Sequence, residues 1–161
     1  MSGVKLTDIV EKMNLKNLTP EVDITEREVL VPDVNRPALQ LAGFFDHFDL
    51  NRVQIIGNVE CAYLETLEEE KRVEIYQKLL EHKVPCIIFS NELQPDESFL
   101  ELAEKNDIPV FGTCKKTSSF MGELIRWLNV KLAPCISIHG VLVDVYGVCL
   151  LYTSPSPRDT R

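Results

Sequence analysis

The chain has 161 residues, enough for a domain that buries roughly 70% of the surface its unfolded form exposes. Hydrophobic residues make up 45% and charged residues 26%, the balance of an ordinary globular protein. The formal net charge of −8 argues against a nucleic-acid partner, and no apolar run approaches the roughly 20 residues of a membrane helix.

In chain order, Thr7 to Met13 reads as a short helix and Glu28-Val29-Leu30-Val31 as a short strand. Pro37 opens a helix through Phe45, since its missing amide is one that a first turn leaves unbonded. Val53-Gln54-Ile55-Ile56, Cys86-Ile87-Ile88-Phe89 and Ile108-Pro109-Val110-Phe111 are too short for helices and rich in β-branched residues. From about Glu68 to His82 a helix places Val73, Tyr76, Leu79 and Leu80 on one face. Pro95-Asp96-Glu97 opens the next, with acids where the helix dipole favours them. Phe99, Leu102 and Ala103 form its apolar stripe, and Asn106-Asp107 ends it. A third helix begins near Thr117, reaches at least Leu128, and buries Phe120, Leu124 and Leu128. Ile136 through Val148 is a further apolar strand, and Ser154-Pro155-Ser156-Pro157 breaks the composition. Strands alternating with helices of this length predict an α/β fold, with a parallel or mixed sheet and crossover helices.

No basic region followed by an apolar stretch opens the chain, so no signal peptide is evident. Cys61, Cys86, Cys114, Cys135 and Cys149 include no Cys-x-x-Cys pair and no metal-ligand spacing. Cys86 and Cys135 lie in apolar runs and read as small buried hydrophobes. The expected compartment is the cytoplasm.

Few residues carry a local chemical signal. Lys115-Lys116-Thr117-Ser118-Ser119 at a helix start can hold an anion, but the simpler reading has Thr117 or Ser118 capping the helix beside solvated lysines. Asn35-Arg36-Pro37 is either a ligand site or, more simply, a tie from a loop to the body of the domain. Glu65, Glu68, Glu69 and Glu70 lack the pattern of a calcium loop and read as a solvated helix face. Trp127 reads as core or interface, and His47 and His82 show no partners. His139, taken alone, has no carboxylate or nucleophile at a diagnostic spacing.

Four segments in order do resemble one family. Asn35-Arg36-Pro37-Ala38-Leu39-Gln40-Leu41-Ala42-Gly43-Phe44 is similar to the Asn-Arg-Pro-Gly-Leu-x-Leu-Ala-Gly-Phe signature of the bacterial HPr kinase/phosphorylases. Arg52-Val53-Gln54-Ile55-Ile56-Gly57, Leu132-Ala133-Pro134 and His139-Gly140-Val141 through Val148 follow at family spacing. The resemblance covers Val4 to Val148.

It implies a fold similar to the family's N-terminal domain, and an intact enzyme that uses ATP or pyrophosphate with Mg²⁺. That enzyme phosphorylates a serine of the phosphocarrier protein HPr, reverses the step by phosphorolysis, and so regulates carbon catabolite repression. It also implies a homo-hexamer built through the catalytic domain, a state not expected for this chain. His139 matches the family's catalytic histidine near the phosphates, where an imidazole can donate a proton or hydrogen bond near neutral pH. The family's Gly-x-x-Gly-x-Gly-Lys-Ser phosphate loop should fill residues 154–161, which here read Ser-Pro-Ser-Pro-Arg-Asp-Thr-Arg. Without its glycines no backbone cradle forms, so no cofactor-binding or metal residues and no activity are expected of this chain.

The expected organisation is an α/β domain over residues 1–131, an entry strand of the kinase domain over 132–148, and a non-family tail over 149–161 read as a sequence artefact. The alternative is a stand-alone α/β regulatory or ligand-binding module without kinase activity.

Overall fold

The computed structural model describes residues 3–133. The elements are β1 (Val4–Lys5), α1 (Leu6–Met13), β2 (Lys16–Asn17), β3 (Glu28–Val29), β4 (Val34–Asn35), α2 (Ala38–Leu41), β5 (Val53–Ile56), α3 (Asn58–Glu65), α4 (Glu69–Leu80), β6 (Ile87–Phe89), α5 (Glu97–Lys105), β7 (Val110–Gly112) and α6 (Thr117–Leu132). The expected α/β class with a mixed sheet and crossover helices is what the chain forms. Five strands lie in the order β2-β7-β6-β5-β4; β4 through β7 run parallel, and β2 pairs antiparallel with β7. A separate antiparallel pair joins Val4 of β1 to Val29 of β3.

Side chains alternate across a strand, so each apolar run supplies two cores. Val53 and Ile55 of β5, Ile88 of β6 and Phe111 of β7 pack with Leu6, Ile9 and Met13 of α1 and with Phe120, Leu124 and Leu128 of α6. Their neighbours Ile56, Ile87, Phe89 and Val110 point the other way, onto Leu41 of α2, Leu79 and Leu80 of α4, and Phe99 and Ala103 of α5. Coverage on both faces is why these strands read as short, mostly apolar runs rather than a polar/apolar alternation.

Several boundaries differ from expectation. The helix opened by Pro37 has one turn, because Gly43 adopts φ 100° and closes it. Gly43 N–H donates to Gln40 O at 3.0 Å and Phe44 N–H to Leu39 O at 2.9 Å, the paired bonds that end a helix at a left-handed glycine. The strand expected over 28–31 stops at Val29, leaving Leu30 exposed. In α4, Ile75 is buried where Val73 was expected to be, and Val73 is half-buried. In α5, Leu102 is likewise only half-buried. β1, β2 and β4 are two residues each, too short to leave a period in the sequence. The strand expected from Ile136 and the Ser/Pro-rich tail lie outside the described residues. Among the described residues no helix is long and apolar enough to cross a membrane.

Candidate functional site

In open α/β sheets, ligands settle outside the carboxyl ends of the parallel strands, where loops rather than ladders occupy the backbone. Here those ends gather a connected polar cluster. Arg36 follows β4, Gly57 joins β5 to α3, Ser90 and Asn91 follow β6, and Thr117 begins α6.

Glu60, in the first turn of α3, is 2% exposed yet fully engaged. Its Oε1 accepts from Gly57 N–H at 2.8 Å and from Arg36 Nη2 at 2.8 Å, and its Oε2 from Arg36 Nε at 3.2 Å. This is a two-pronged guanidinium–carboxylate bond that also satisfies a free helix amide. Beside it, Thr117 Oγ1 accepts from Asn91 Nδ2 at 3.0 Å and shares a hydrogen bond with Ser90 Oγ. Asn35 Nδ2 donates to Gln54 Oε1 at 2.7 Å and Gln40 Oε1 at 3.2 Å, fastening β4 to β5 below the cluster. Asn91 and Glu92 both adopt positive φ, folding the loop after β6 back so that Asn91 N–H reaches Lys115 O at 2.8 Å.

A glycine at a strand-to-helix junction is where a phosphate could approach the backbone. At Gly57 that space is taken. A side chain placed there would meet Thr117 Oγ1 at 2.6 Å and Arg36 Nη2 at 3.1 Å, and the Gly57 amide already serves Glu60. The backbone at Gly57 therefore has no room for a phosphate, and among the described residues no three His, Cys, Asp or Glu side chains come together as a metal site. The cluster is a latch: it pins four loops over the sheet end and leaves neither an activated nucleophile nor an open base.

The sequence expectations fare unevenly. Arg36 ties its loop to the body of the domain as the simpler reading held. The expected capping by Thr117 or Ser118 does not occur: Lys116 holds the cap position without a side-chain bond, and the Thr117 hydroxyl turns to Ser90 and Asn91 instead. Lys115 is not free for an anion, because its Nζ donates to Glu123 Oε1 at 2.8 Å. That bond holds the Glu123 carboxyl below its ordinary range. His82 does have partners, contrary to expectation: its Nδ1 lies 2.8 Å from Lys78 O, and its ring stacks on Phe45 at 4.5 Å. Trp127 packs part-buried against the core, with Lys131 Nζ over its ring. Glu65, Glu68, Glu69 and Glu70 are solvent-exposed. Glu60, Ser90 and Asn91 were not foreseen, although Glu three residues after a strand-ending Gly is a helix-start signal that points to Glu60. His139 lies outside the described residues.

The described thiols differ sharply in environment. Cys86 is fully buried in β-sheet core, and burial pushes its thiol up to about 12. Cys61 is half-buried; burial first, then the nearby Glu60 charge, pushes it up to about 11. Cys114 is exposed. Since the thiolate is the reactive form, iodoacetamide at pH 8 labels Cys114 before Cys61, and Cys86 only after denaturation, as read by peptide mass spectrometry. A raised thiol pKa stabilises the fold fully below the unfolded value near 9 and is lost as pH rises toward 12. The urea midpoint accordingly falls between pH 9 and 11.

Comparison with known proteins places the domain. A family profile described as HPr Serine kinase N terminus matches residues 4–128. The chain is 56% identical over 156 residues to the HPr kinase/phosphorylase of Lachnoclostridium phytofermentans, covering 97% of this chain and 50% of that protein. It is 35% identical to the Bacillus subtilis HPr kinase/phosphorylase over the same shares. It thus spans about half the length of these curated relatives. Among solved structures, the CBS and DRTGG domains of the regulatory region of Clostridium perfringens pyrophosphatase, complexed with the activator diadenosine tetraphosphate, share the fold. That match has a TM-score of 0.55 at 22% identity, covering 78% of this chain and 47% of the other. The α/β domain of this chain belongs to the HPr kinase/phosphorylase family, as its N-terminal domain.

Proposed function

We propose that this chain is the N-terminal half of a bifunctional HPr kinase/phosphorylase acting in the cytoplasm. The intact enzyme phosphorylates a serine of HPr with ATP or pyrophosphate and Mg²⁺, and removes the phosphate by phosphorolysis. The supporting observation is the 56% identity that runs over 97% of this chain and only half of its relative. In this reading His139 sits at the entry to the second half and handles a proton beside the phosphates. In this reading the described domain transfers no phosphoryl group itself.

The test compares two proteins. The 161-residue chain, given HPr, Mg²⁺ and ATP or pyrophosphate, is expected to form no phosphoserine. Residues 1–148 joined to the second half of the Lachnoclostridium relative are expected to phosphorylate HPr. In that chimera His139→Ala lowers kcat by about 10²- to 10⁴-fold. Phosphoserine formed by the 161-residue chain alone sinks the division of labour, and an unaffected His139→Ala chimera sinks the role of the histidine. The second reading, a stand-alone regulatory or ligand-binding module, draws on the covered sheet faces of residues 3–133.

A further inference from the structure

A cavity of about 160 Å³ lies between α3, α4 and α5, on the sheet face opposite α1 and α6. Ile56 and Phe89, the last residues of β5 and β6, form its floor, with Leu64 and Phe99 in the walls. The size is close to the roughly 150 Å³ hole that accepts a benzene ring in an engineered core. Its position, at the carboxyl ends of parallel strands, is where open α/β sheets take their ligands.

The charged groups around it are unequally satisfied. Tyr76 Oη donates to Asp96 Oδ2 at 2.6 Å, and Arg72 Nε pairs with the same oxygen at 3.3 Å. Arg72 Nη1 donates to Leu67 O at 2.9 Å, so the guanidinium is held within the wall and balances Asp96 there. Glu65 has no such counterion among the described residues. It is exposed at the cavity, and the bases of α4 are engaged elsewhere, Lys71 and Lys78 with Glu74 and Arg72 with Asp96. Glu65 also ends α3, whose last turn carries no base, and a helix C-terminus attracts cations. Glu65 and Asp96 against Arg72 leave one net negative charge in the lining. Cys61 in the same wall feels that field: after burial, the charges of Glu60, Glu65 and Asp96 hold its proton. Gln94 lines the cavity as well, and its side-chain amide offers both a donor and an acceptor, so it can hold a polar head without choosing its charge.

We propose that this cavity binds a small aromatic ring carrying a primary ammonium group, with the ring on Ile56 and Phe89 and the ammonium on the Glu65 carboxylate and the Gln94 side-chain oxygen. The charges select the cation. An anion meets the uncompensated Glu65, and a neutral ring gains only the apolar floor. The site is separate from the latch around Glu60 and from any phosphoryl chemistry, so it stands or falls apart from the kinase reading.

The test titrates three probes of similar shape, at millimolar concentration, into the 161-residue chain labelled with ¹³C at its isoleucine and leucine methyls: benzylamine (a cation at pH 7), benzyl alcohol (neutral) and benzoate (an anion). Benzylamine is expected to move the methyl resonances of Ile56 and Leu64 and to protect Cys61 from iodoacetamide. Benzyl alcohol and benzoate are expected to bind at least about tenfold more weakly, the factor that one charge-assisted hydrogen bond supplies. Glu65→Gln should bring benzylamine down to the level of benzyl alcohol. Glu101→Gln, the same change of charge at an exposed position on α5, should leave the preference for the cation intact. Unmoved methyls, or benzyl alcohol or benzoate binding as tightly as benzylamine, overturn the proposal on the unmutated protein. A preference that survives Glu65→Gln, or that Glu101→Gln erodes equally, overturns it too.

Discussion

Arg36→Ala lowers the unfolding free energy by about 3 kcal/mol, measured by urea denaturation at pH 7. Glu60 is 2% exposed and draws two of its three hydrogen bonds from this one guanidinium. Removing Arg36 leaves a buried carboxylate with the Gly57 amide alone, and stranding a buried charge costs roughly 3–5 kcal/mol. The low end applies because Arg36 is 34% exposed, so water reaches that side of the carboxylate once the arginine is gone. The reverse change is milder. Glu60→Gln keeps the shape and one acceptor and leaves an arginine that can turn to solvent, for a loss of about 1–2 kcal/mol. The order of the two variants is the discriminating result. If Glu60→Gln proves the more damaging, the cost arises from the arginine left without its carboxylate rather than from a stranded carboxylate.

Gly57→Ala is expected to cost about 3 kcal/mol, with steric overlap as the cause. Gly57 sits at φ −118° and ψ −163°, extended backbone that any residue adopts, so no conformational strain enters. A methyl group there lands 2.6 Å from Thr117 Oγ1 and 3.2 Å from Thr117 Cγ2. Overpacking of this kind costs about 1–3 kcal/mol, and the upper end follows because Ser90 and Asn91 hold Thr117 in place. Thr117→Ala removes both of these atoms and leaves only Arg36 Nη2, at 3.1 Å, the far end of a flexible side chain. The double variant should therefore lose about 1–2 kcal/mol less than the sum of the single ones, a coupling expected only of side chains that touch. Strict additivity would mean that α6 shifts as a body to admit the methyl.

The two variants also separate what periodicity can reveal from what it cannot. Val53–Ile56 announced itself as a strand, because a short run with three β-branched apolar residues around Gln54 suits a sheet covered on both faces. Phe120, Leu124 and Leu128 announced α6 because residues four apart share a helix face. The same rule erred in α4, where Val73 and Ile75 are both apolar and only the docking angle against the sheet decides that Ile75 goes under. The capping rule erred at Thr117. A hydroxyl at a helix start caps by default, and only the arrival of Ser90, 27 residues away in sequence, offers it another partner.

Fold class, the order of the main strands and helices, and family membership were all carried by the chain's own residues. Spacing of apolar side chains follows from backbone geometry, and the Asn35-Arg36-Pro37 segment is legible as text. Which polar groups meet was decided elsewhere. Arg36 finds Glu60 at a separation of 24 residues, Asn35 finds Gln54 at 19, and Tyr76 finds Asp96 at 20. No local rule couples such pairs. They are set when parallel strands pair in register and bring their carboxyl ends to one edge, so the latch, the filled space over Gly57 and the cavity under α4 exist only once the sheet has formed.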